Sequence, residues 1–215
     1  MNKTKIEWTD YTWNPIKGVC PVGCWYCYAR AMYKRFKWDE RISITGFYPA
    51  AKMETMKPAK IFVCSTVELF HPEIKGLWRD MIFNVIKKYP QHTFQILTKL
   101  PQNIDREMPD NVWLGVSITD PLPEHERAYD LLDHSAKIEF ISLEPLIGEY
   151  FYSVIPIELF DWVIVGRMTG HGYRYDPKKE SIKRIVSDCR RAKTPIFLKD
   201  NLKEIWGEPL IQEFP

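Results

Sequence analysis

The chain has 215 residues, of which 45% are hydrophobic and 14% aromatic, which is enough for the core of a single domain over residues 1–215. It has no run of about 18 apolar residues, which excludes a membrane-spanning helix. The formal net charge is only +2, so no global positive field points to nucleic acid. The five cysteines are an odd number and no secretory h-region opens the chain, so we expect a cytoplasmic protein without disulfides.

Short β-branched apolar runs alternate with longer amphipathic stretches. The runs predict strands at residues 11–13, 61–64, 93–97, 113–117, 138–143, 162–165 and 196–198. The stretches predict helices at 25–37, 76–88, 124–133 and 181–192, and in the second of these Leu77, Met81, Val85 and Ile86 fall on one face. Apolar strands separated by helices favour a parallel sheet that is buried on both sides. We therefore predict an α/β fold, a partial (β/α) barrel, with a doubly wound open sheet as the alternative.

The most specific motif is the C-x3-C-x2-C spacing of Cys20, Cys24 and Cys27. Three thiolates at this spacing can converge on a small inorganic cluster, and a [4Fe–4S] cluster with three protein ligands keeps one iron open for a further ligand. A zinc site is the alternative, because Cys64, Cys189 and five histidines could each supply a fourth ligand. The odd cysteine count disfavours a disulfide with a spare thiol.

Polar residues follow the apolar runs at the positions where the strands should end. They are Cys64-Ser65-Thr66, Thr98-Lys99, Ser117, Glu144, Arg167 and Lys199. In parallel barrels this end of the strands carries the functional groups, and polar groups next to buried runs are costly unless they line a cavity. Helix capping by Ser65, Thr66 or Thr119 and buried ion pairs at Lys99 or Glu144 stay open as alternatives. Residues Arg167, His171, Arg174 and Lys199 form a candidate anion-binding rim.

The cysteine motif, with Tyr26 before its last cysteine, resembles the signature of radical S-adenosylmethionine enzymes. Further stretches resemble a phage-associated, uncharacterised radical-SAM-like family, which is itself similar to spore photoproduct lyase, a DNA-repair enzyme. They are residues 5–15, 61–71, 97–99, 111–117, 142–146 and 161–166. The resemblance implies the (β/α)6-type partial barrel of the radical SAM core, with a [4Fe–4S] cluster on Cys20, Cys24 and Cys27.

The resemblance also implies S-adenosyl-L-methionine as a second cofactor, bound at the open iron. The residues implied to bind it are Tyr26, Tyr28, Ser65, Thr66, Glu68, Lys99, Ser117 and Glu144. Lys99 would hold the carboxylate of the cofactor, Ser117 would face its ribose, and Glu68 or Glu144 would accept hydrogen bonds from its amine or ribose. Cys64 corresponds to the hydrogen-donating cysteine of the lyase and becomes the candidate catalytic residue, with a buried apolar cysteine as the alternative.

The predicted activity is reductive cleavage of S-adenosyl-L-methionine, followed by hydrogen abstraction from a nucleic-acid base or nucleotide. An electron donor such as flavodoxin or ferredoxin and a partner subunit are the further expected partners. The alternatives are modification of a peptide or small molecule, and a non-catalytic iron–sulfur or zinc module that binds nucleic acid or a protein. Two basic patches are each more typical of solvated helix faces: Arg30, Lys34, Arg35 and Lys37, and Lys183, Arg184, Arg190, Arg191 and Lys193.

Overall fold

The fold is mixed α/β, with a mostly parallel sheet of eight strands. The structure is a computed structural model that describes residues 1–46, 49–150, 154–169 and 175–215 and, for residues 49–51, the backbone only. The chain divides into two compact units, residues 1–113 and 114–215. The single domain stays a prediction, and the two units are described in turn.

The first unit, within its described residues, carries the amino-terminal strands of the sheet. Its strands are β1 (Asn2–Lys3), β2 (Tyr11–Trp13), β3 (Ile16–Lys17), β4 (Ser43–Ile44), β5 (Lys60–Val63) and β6 (Thr93–Thr98), and its α-helices are α1 (Tyr28–Phe36), α2 (Pro49–Thr55) and α3 (Gly76–Lys88). β2, β5 and β6 run parallel, β1 is antiparallel to β2, and β3 pairs with β4 in a separate antiparallel sheet. A 3₁₀ turn, Pro101–Asn103, follows β6.

The first strand of the second unit is β7 (Val112–Ser117), whose first two residues belong to the first unit. Its further strands are β8 (Ile138–Leu143), β9 (Trp162–Val165) and β10 (Ile196–Leu198), and its described α-helices are α4 (Pro121–Glu124), α5 (Glu126–Leu132), α6 (Lys179–Ala192) and α7 (Lys203–Trp206). Its described 3₁₀ turns are Ile157–Leu159 and Asp200–Leu202. β8, β9 and β10 are parallel, so their carboxyl ends lie at one edge.

All seven predicted strands are present, and four of them have the predicted bounds. The parallel α/β sheet is therefore confirmed. The strand order is β1-β2-β5-β6-β7-β8-β9-β10, and within the described ranges β1 does not pair with β10 to close a barrel. The partial (β/α)6 barrel stays a prediction. β1, β3 and β4 were not predicted, because strands of two residues are too short to show a periodic pattern.

The predicted apolar face of α3 is wrong in its first half, whereas Ile86 is buried as predicted. Leu77 and Met81 are 67% and 37% exposed, whereas Ile82 and Phe83 are buried. Arg79 lies on the same face as these two, at i−3 and i−4, and its guanidinium donates to the carbonyl of Ile74 and pairs with a carboxylate. A charged residue on the buried face interrupts the apolar spacing there. The sequence pattern therefore assigned the first half of the buried face to the wrong side of the helix.

Close packing at the sheet depends on a glycine in β7. A Cβ on Gly115 would lie 2.4 Å from the ring of Phe140, which also packs against Trp162 at a centroid distance of 5.6 Å. Only glycine leaves room for this ring, so the aromatic core of the second unit requires it. Among the described helices of both units, none is long and apolar enough to cross a membrane.

Candidate functional site

A polar cluster in the first unit lies at the carboxyl ends of β5 and β6 and centres on Glu68, which is 7% exposed. Its Oε1 accepts hydrogen bonds from the hydroxyl of Thr98 at 2.6 Å and the N–H of Phe70 at 3.2 Å. Its Oε2 accepts the N–H of Lys99 at 2.7 Å. With three donors on one carboxylate, Glu68 fixes the turn after β5 to the end of β6.

Two further predicted residues join this cluster. The N–H of Glu68 donates to the Sγ of Cys20 at 3.4 Å, and the Nζ of Lys99 lies 5.6 Å from the ring centroid of Tyr26. Burial raises the pKa of the Cys20 thiol, and the N–H groups of Glu68 and Val22 oppose this effect. The structure thus brings together Cys20, Tyr26, Glu68 and Lys99, and the thiol is protonated at neutral pH.

The other two motif cysteines lie where the loop enters α1. The N–H of Cys27 donates to the carbonyl of Cys24 at 3.1 Å, and Cys27 is the N-cap residue of the helix. All three motif thiols are free and half-buried. Across the part of the chain that the structure describes, no three His, Cys, Asp or Glu side chains converge in an arrangement that could hold a metal ion.

A turn begins at Cys64, directly after β5. Its φ of 54° is in the left-handed region, its N–H donates to the carbonyl of Trp13 at 2.9 Å, and its side chain is only 6% exposed. Burial raises the pKa of this thiol to about 12, so it carries no thiolate at neutral pH. Ser65 exchanges hydrogen bonds with the side chain of Asn14 at 3.1 Å, and Thr66 is half-buried.

A second polar cluster, in the second unit, lies at the carboxyl ends of β8, β9 and β10. The Nζ of Lys199 donates to the Oε1 of Glu144, and these side chains are 12% and 25% exposed. The pair crosses over Gly166, where a Cβ would lie 3.0 Å from Lys199 and 3.1 Å from Glu144. Glu144 therefore forms the ion pair that the sequence left as an alternative. Ser117 is buried at the end of β7, the strand that precedes β8 in the chain.

The described members of the anion-binding rim are ion-paired. The Nε of Arg167 lies 2.9 Å from the carboxylate of Asp176, and Lys199 is paired with Glu144. His171 and Arg174 lie outside the described residues.

A third feature is the segment of residues 25–41, here called the α1 surface. Its exposed apolar side chains are Trp25 (57%), Tyr28 (54%), Met32 (39%), Phe36 (51%) and Trp38 (48%). The same segment carries five cationic residues and two acidic ones: Arg30, Lys34, Arg35, Lys37, Arg41, Asp39 and Glu40. Exposed rings alternating with cations are unusual, because large aromatic side chains normally enter the core.

The end of α1 arranges the rings. Lys37 has a left-handed φ of 52°, and the N–H groups of Lys37 and Trp38 both reach the carbonyl of Tyr33. This turn folds Trp38 back, so that its ring meets Tyr33 edge-on at 5.4 Å and lies nearly parallel to Phe36, at 5.3 Å and 22°. Tyr33 is buried, and its hydroxyl accepts the N–H of Gly18 at 2.8 Å. The ring arrangement is therefore anchored to the body of the first unit.

Sequence reasoning missed the exposed rings of the α1 surface. It named Lys34, Arg35 and Lys37 as a basic patch, but not Phe36 and Trp38 between them. The available signal was the interleaving itself, since rings flanked by charges on both sides are poorly suited to a core. Thr98 was named only as a strand end, and its bond to Glu68 had no local signal.

A protein family described as "Protein of unknown function (DUF5131)" matches residues 3–209, nearly the whole chain. The chain belongs to the DUF5131 family. Comparison with curated proteins and with solved structures gives no match.

Membership of the DUF5131 family corrects the resemblance to radical S-adenosylmethionine enzymes, because the matching family is one of unknown function. The predicted [4Fe–4S] cluster on Cys20, Cys24 and Cys27 is wrong, since these thiols do not form a metal-binding group among the described residues. The thiols lie in different surroundings: Cys20 accepts a backbone N–H from Glu68, and Cys27 is the N-cap residue of α1. The prediction of S-adenosyl-L-methionine depended on the open iron of that cluster and is wrong with it.

Proposed function

We propose that this member of the DUF5131 family binds nucleic acid through the α1 surface. The observation that carries the proposal is the exposure of four aromatic rings and a methionine in a segment where cations outnumber acids by five to two. Cations supply contacts to phosphates, and exposed rings supply contacts to bases. Proteins that bind single strands combine both features on one surface.

The cations of the α1 surface are only partly neutralised from within. Asp39 lies 2.8 Å from Arg41, and hydrogen bonds from Arg41 hold the pKa of the Asp39 carboxyl down at about 2. This acid therefore stays ionised and offsets the charge of its own neighbour. Lys34, Arg35 and Lys37 are exposed on and just after α1, where a phosphate backbone can reach them.

A membrane surface is the main rival, because basic helices with aromatic residues also bind lipids. The exposed apolar stripe of α1 consists of Tyr28, Met32 and Phe36 on a helix of nine residues. This stripe is short, and the guanidinium of Arg35 lies at its edge, 5.3 Å from the Phe36 ring centroid. A cation placed against a ring suits a ligand that carries phosphate and an aromatic base together, and it interrupts the apolar face that insertion into lipid requires.

The test is a titration of the whole chain with a labelled single-stranded oligonucleotide of about 12 nucleotides and, separately, with phosphatidylserine vesicles, at about 50 and 200 mM salt. We expect affinity for the oligonucleotide to fall with salt, with a log–log slope of about −0.7 for each phosphate contacted. The triple variant Lys34→Gln, Arg35→Gln, Lys37→Gln should reduce that slope by about 2. The control variant Lys87→Gln, Lys88→Gln, which removes two cations from α3, should leave the slope unchanged.

Failure to bind the oligonucleotide at the lower salt concentration, or tighter binding to the vesicles, would overturn the proposal. Catalysis, an electron donor such as flavodoxin or ferredoxin, and a partner subunit stay predictions, and binding at the α1 surface does not depend on them.

A further inference from the structure

We infer that an unpaired nucleobase stacks on the Phe36–Trp38 ring pair, so that the nucleic acid bound at the α1 surface is single-stranded. The inference rests on the proposed function and names its substrate class. It is carried by the geometry of the ring pair rather than by the charge of the segment.

The ring pair presents exposed aromatic surface. The two rings lie 5.3 Å apart at an interplanar angle of 22°, and Phe36 and Trp38 are 51% and 48% exposed. Near-parallel rings of this kind match the offset stacking that aromatic systems prefer. In a duplex both faces of an internal base are covered by its neighbours, so an internal base reaches such a surface only when its strand is unpaired.

The ring pair is held in place before any ligand arrives. The ring of Trp38 meets that of Tyr33 at 90°, and Tyr33 is 8% exposed and tied by its hydroxyl to Gly18. The left-handed turn at Lys37 fixes the direction in which the chain returns. Rings fixed by packing lose little conformational freedom on binding, which favours recognition by stacking.

Charge next to the rings identifies the ligand as a nucleotide rather than an apolar molecule. The guanidinium carbon of Arg35 lies 5.3 Å from the Phe36 centroid, and Lys37 stands between the two rings in the chain. A base on the ring pair therefore brings its own phosphate close to a cation. A purely apolar partner, such as the apolar face of a protein helix, would leave these two cations without anionic partners.

The experiment compares a single-stranded oligonucleotide with the duplex of the same sequence and length, using the whole chain. We expect Trp38→Ala and Phe36→Ala each to lower the single-strand affinity about tenfold. The salt slope should stay unchanged, since no cation is removed. Trp38→Phe should retain affinity within about threefold, because a phenyl ring still offers a stacking face. Tyr129→Ala removes a ring that is 49% exposed in the second unit, and it should have no effect.

Equal affinity for single strand and duplex, with both alanine variants unaffected and the salt dependence intact, would overturn the inference and leave the proposed function standing. Absence of binding to either nucleic acid would remove both. Trp38→Ala could lower affinity through a folding defect, because Trp38 contacts the buried Tyr33. Phe36→Ala is the second test of the ring pair, because Phe36 is the last residue of α1 and is exposed.

Discussion

Helix α1 in the first unit and helix α6 in the second unit both carry clusters of cations, and they differ in where those cations find their counter-charges. On α6, Arg184 and Arg191 both contact Asp188, a carboxylate that is 2% exposed, and Arg190 pairs with Glu213 at 2.7 Å. The arginines of α6 are therefore committed to acids of their own unit.

On α1 the neighbours of the cations are exposed rings. The guanidinium of Arg35 lies over Phe36, and Lys37 precedes Trp38 directly. The comparison teaches that a run of positive charge is not by itself a binding surface. What matters is whether acids of the same unit already pair with it, and which side chains stand between the charges.

Unlike the cations, the buried thiols of the two regions behave alike, and the largest expected effect follows from them. Cys189 on α6 and Cys64 after β5 are buried, and burial raises the pKa of each thiol from its ordinary value of about 9 to about 12. Below about pH 9 both thiols are protonated in the folded and the unfolded chain, and their contribution to the free energy of unfolding is fully present. Above it the unfolded chain loses these protons first, so the free energy of unfolding should fall by about 1.4 kcal/mol per pH unit for each thiol.

Urea unfolding at several pH values between about 8 and 10.5 measures this loss. Cys64→Ala and Cys189→Ala should each flatten the alkaline decline by one thiol's share. The same decline in wild type and both variants would show that the buried thiols do not cause it.

The second prediction concerns the anchors of the two helices. Tyr33→Phe removes the hydroxyl that accepts the buried N–H of Gly18, and Ser181→Ala removes the Oγ that accepts the N–H of Tyr150 at 3.1 Å at the start of α6. Each change leaves a buried donor unpaired and should cost about 1–3 kcal/mol of unfolding free energy, which lowers the melting temperature by about 2–12 °C. Only Tyr33→Phe should also weaken oligonucleotide binding, because Tyr33 holds Trp38. Equal loss of binding in both variants would count against the anchored ring pair.

The third prediction, with the smallest expected effect, concerns the residues that end α1 and α6. Lys37 and Lys193 both adopt left-handed backbone, with φ of 52° and 61°. Lys37→Gly and Lys193→Gly should each raise stability by about 0.5–1 kcal/mol, because glycine adopts this conformation without strain. Lys37→Gly should lower oligonucleotide affinity a fewfold through the lost cation, whereas Lys193→Gly should leave it unchanged. Thermal melts and titrations of the two variants decide this.

The strands were predictable because each is a short, nearly continuous apolar run. β8 and β9 were predicted to the residue, since both faces of the sheet are buried and the sequence shows it directly. The same pattern placed Lys99 at the end of a strand, whereas Cys20 was named from the cysteine motif and Glu68 from the resemblance; their contact was not predicted. The function of this cluster was not predictable either, because the spacing of cysteines reports their nearness in the chain and not the direction of their thiols.

Other features depend on how the chain packs. Lys199 is 55 positions from Glu144, and their pairing depends on the register of three strands. The exposure of Phe36 and Trp38 depends on the left-handed turn at Lys37. Lysine has no high preference for left-handed backbone, so the sequence does not predict this turn. Long-range pairing and a strained turn are both set by the packed chain, so periodicity could not supply them.

The most direct test of the nucleic-acid surface neutralises the two helices in parallel. One variant carries Lys34→Gln, Arg35→Gln and Lys37→Gln, and the other carries Lys183→Gln, Arg184→Gln and Lys193→Gln, so both lose the same charge. At about 100 mM salt we expect the first to bind a single-stranded oligonucleotide about a hundredfold more weakly than wild type, and the second to stay within about threefold. Equal weakening in the two variants would contradict the assignment of binding to α1.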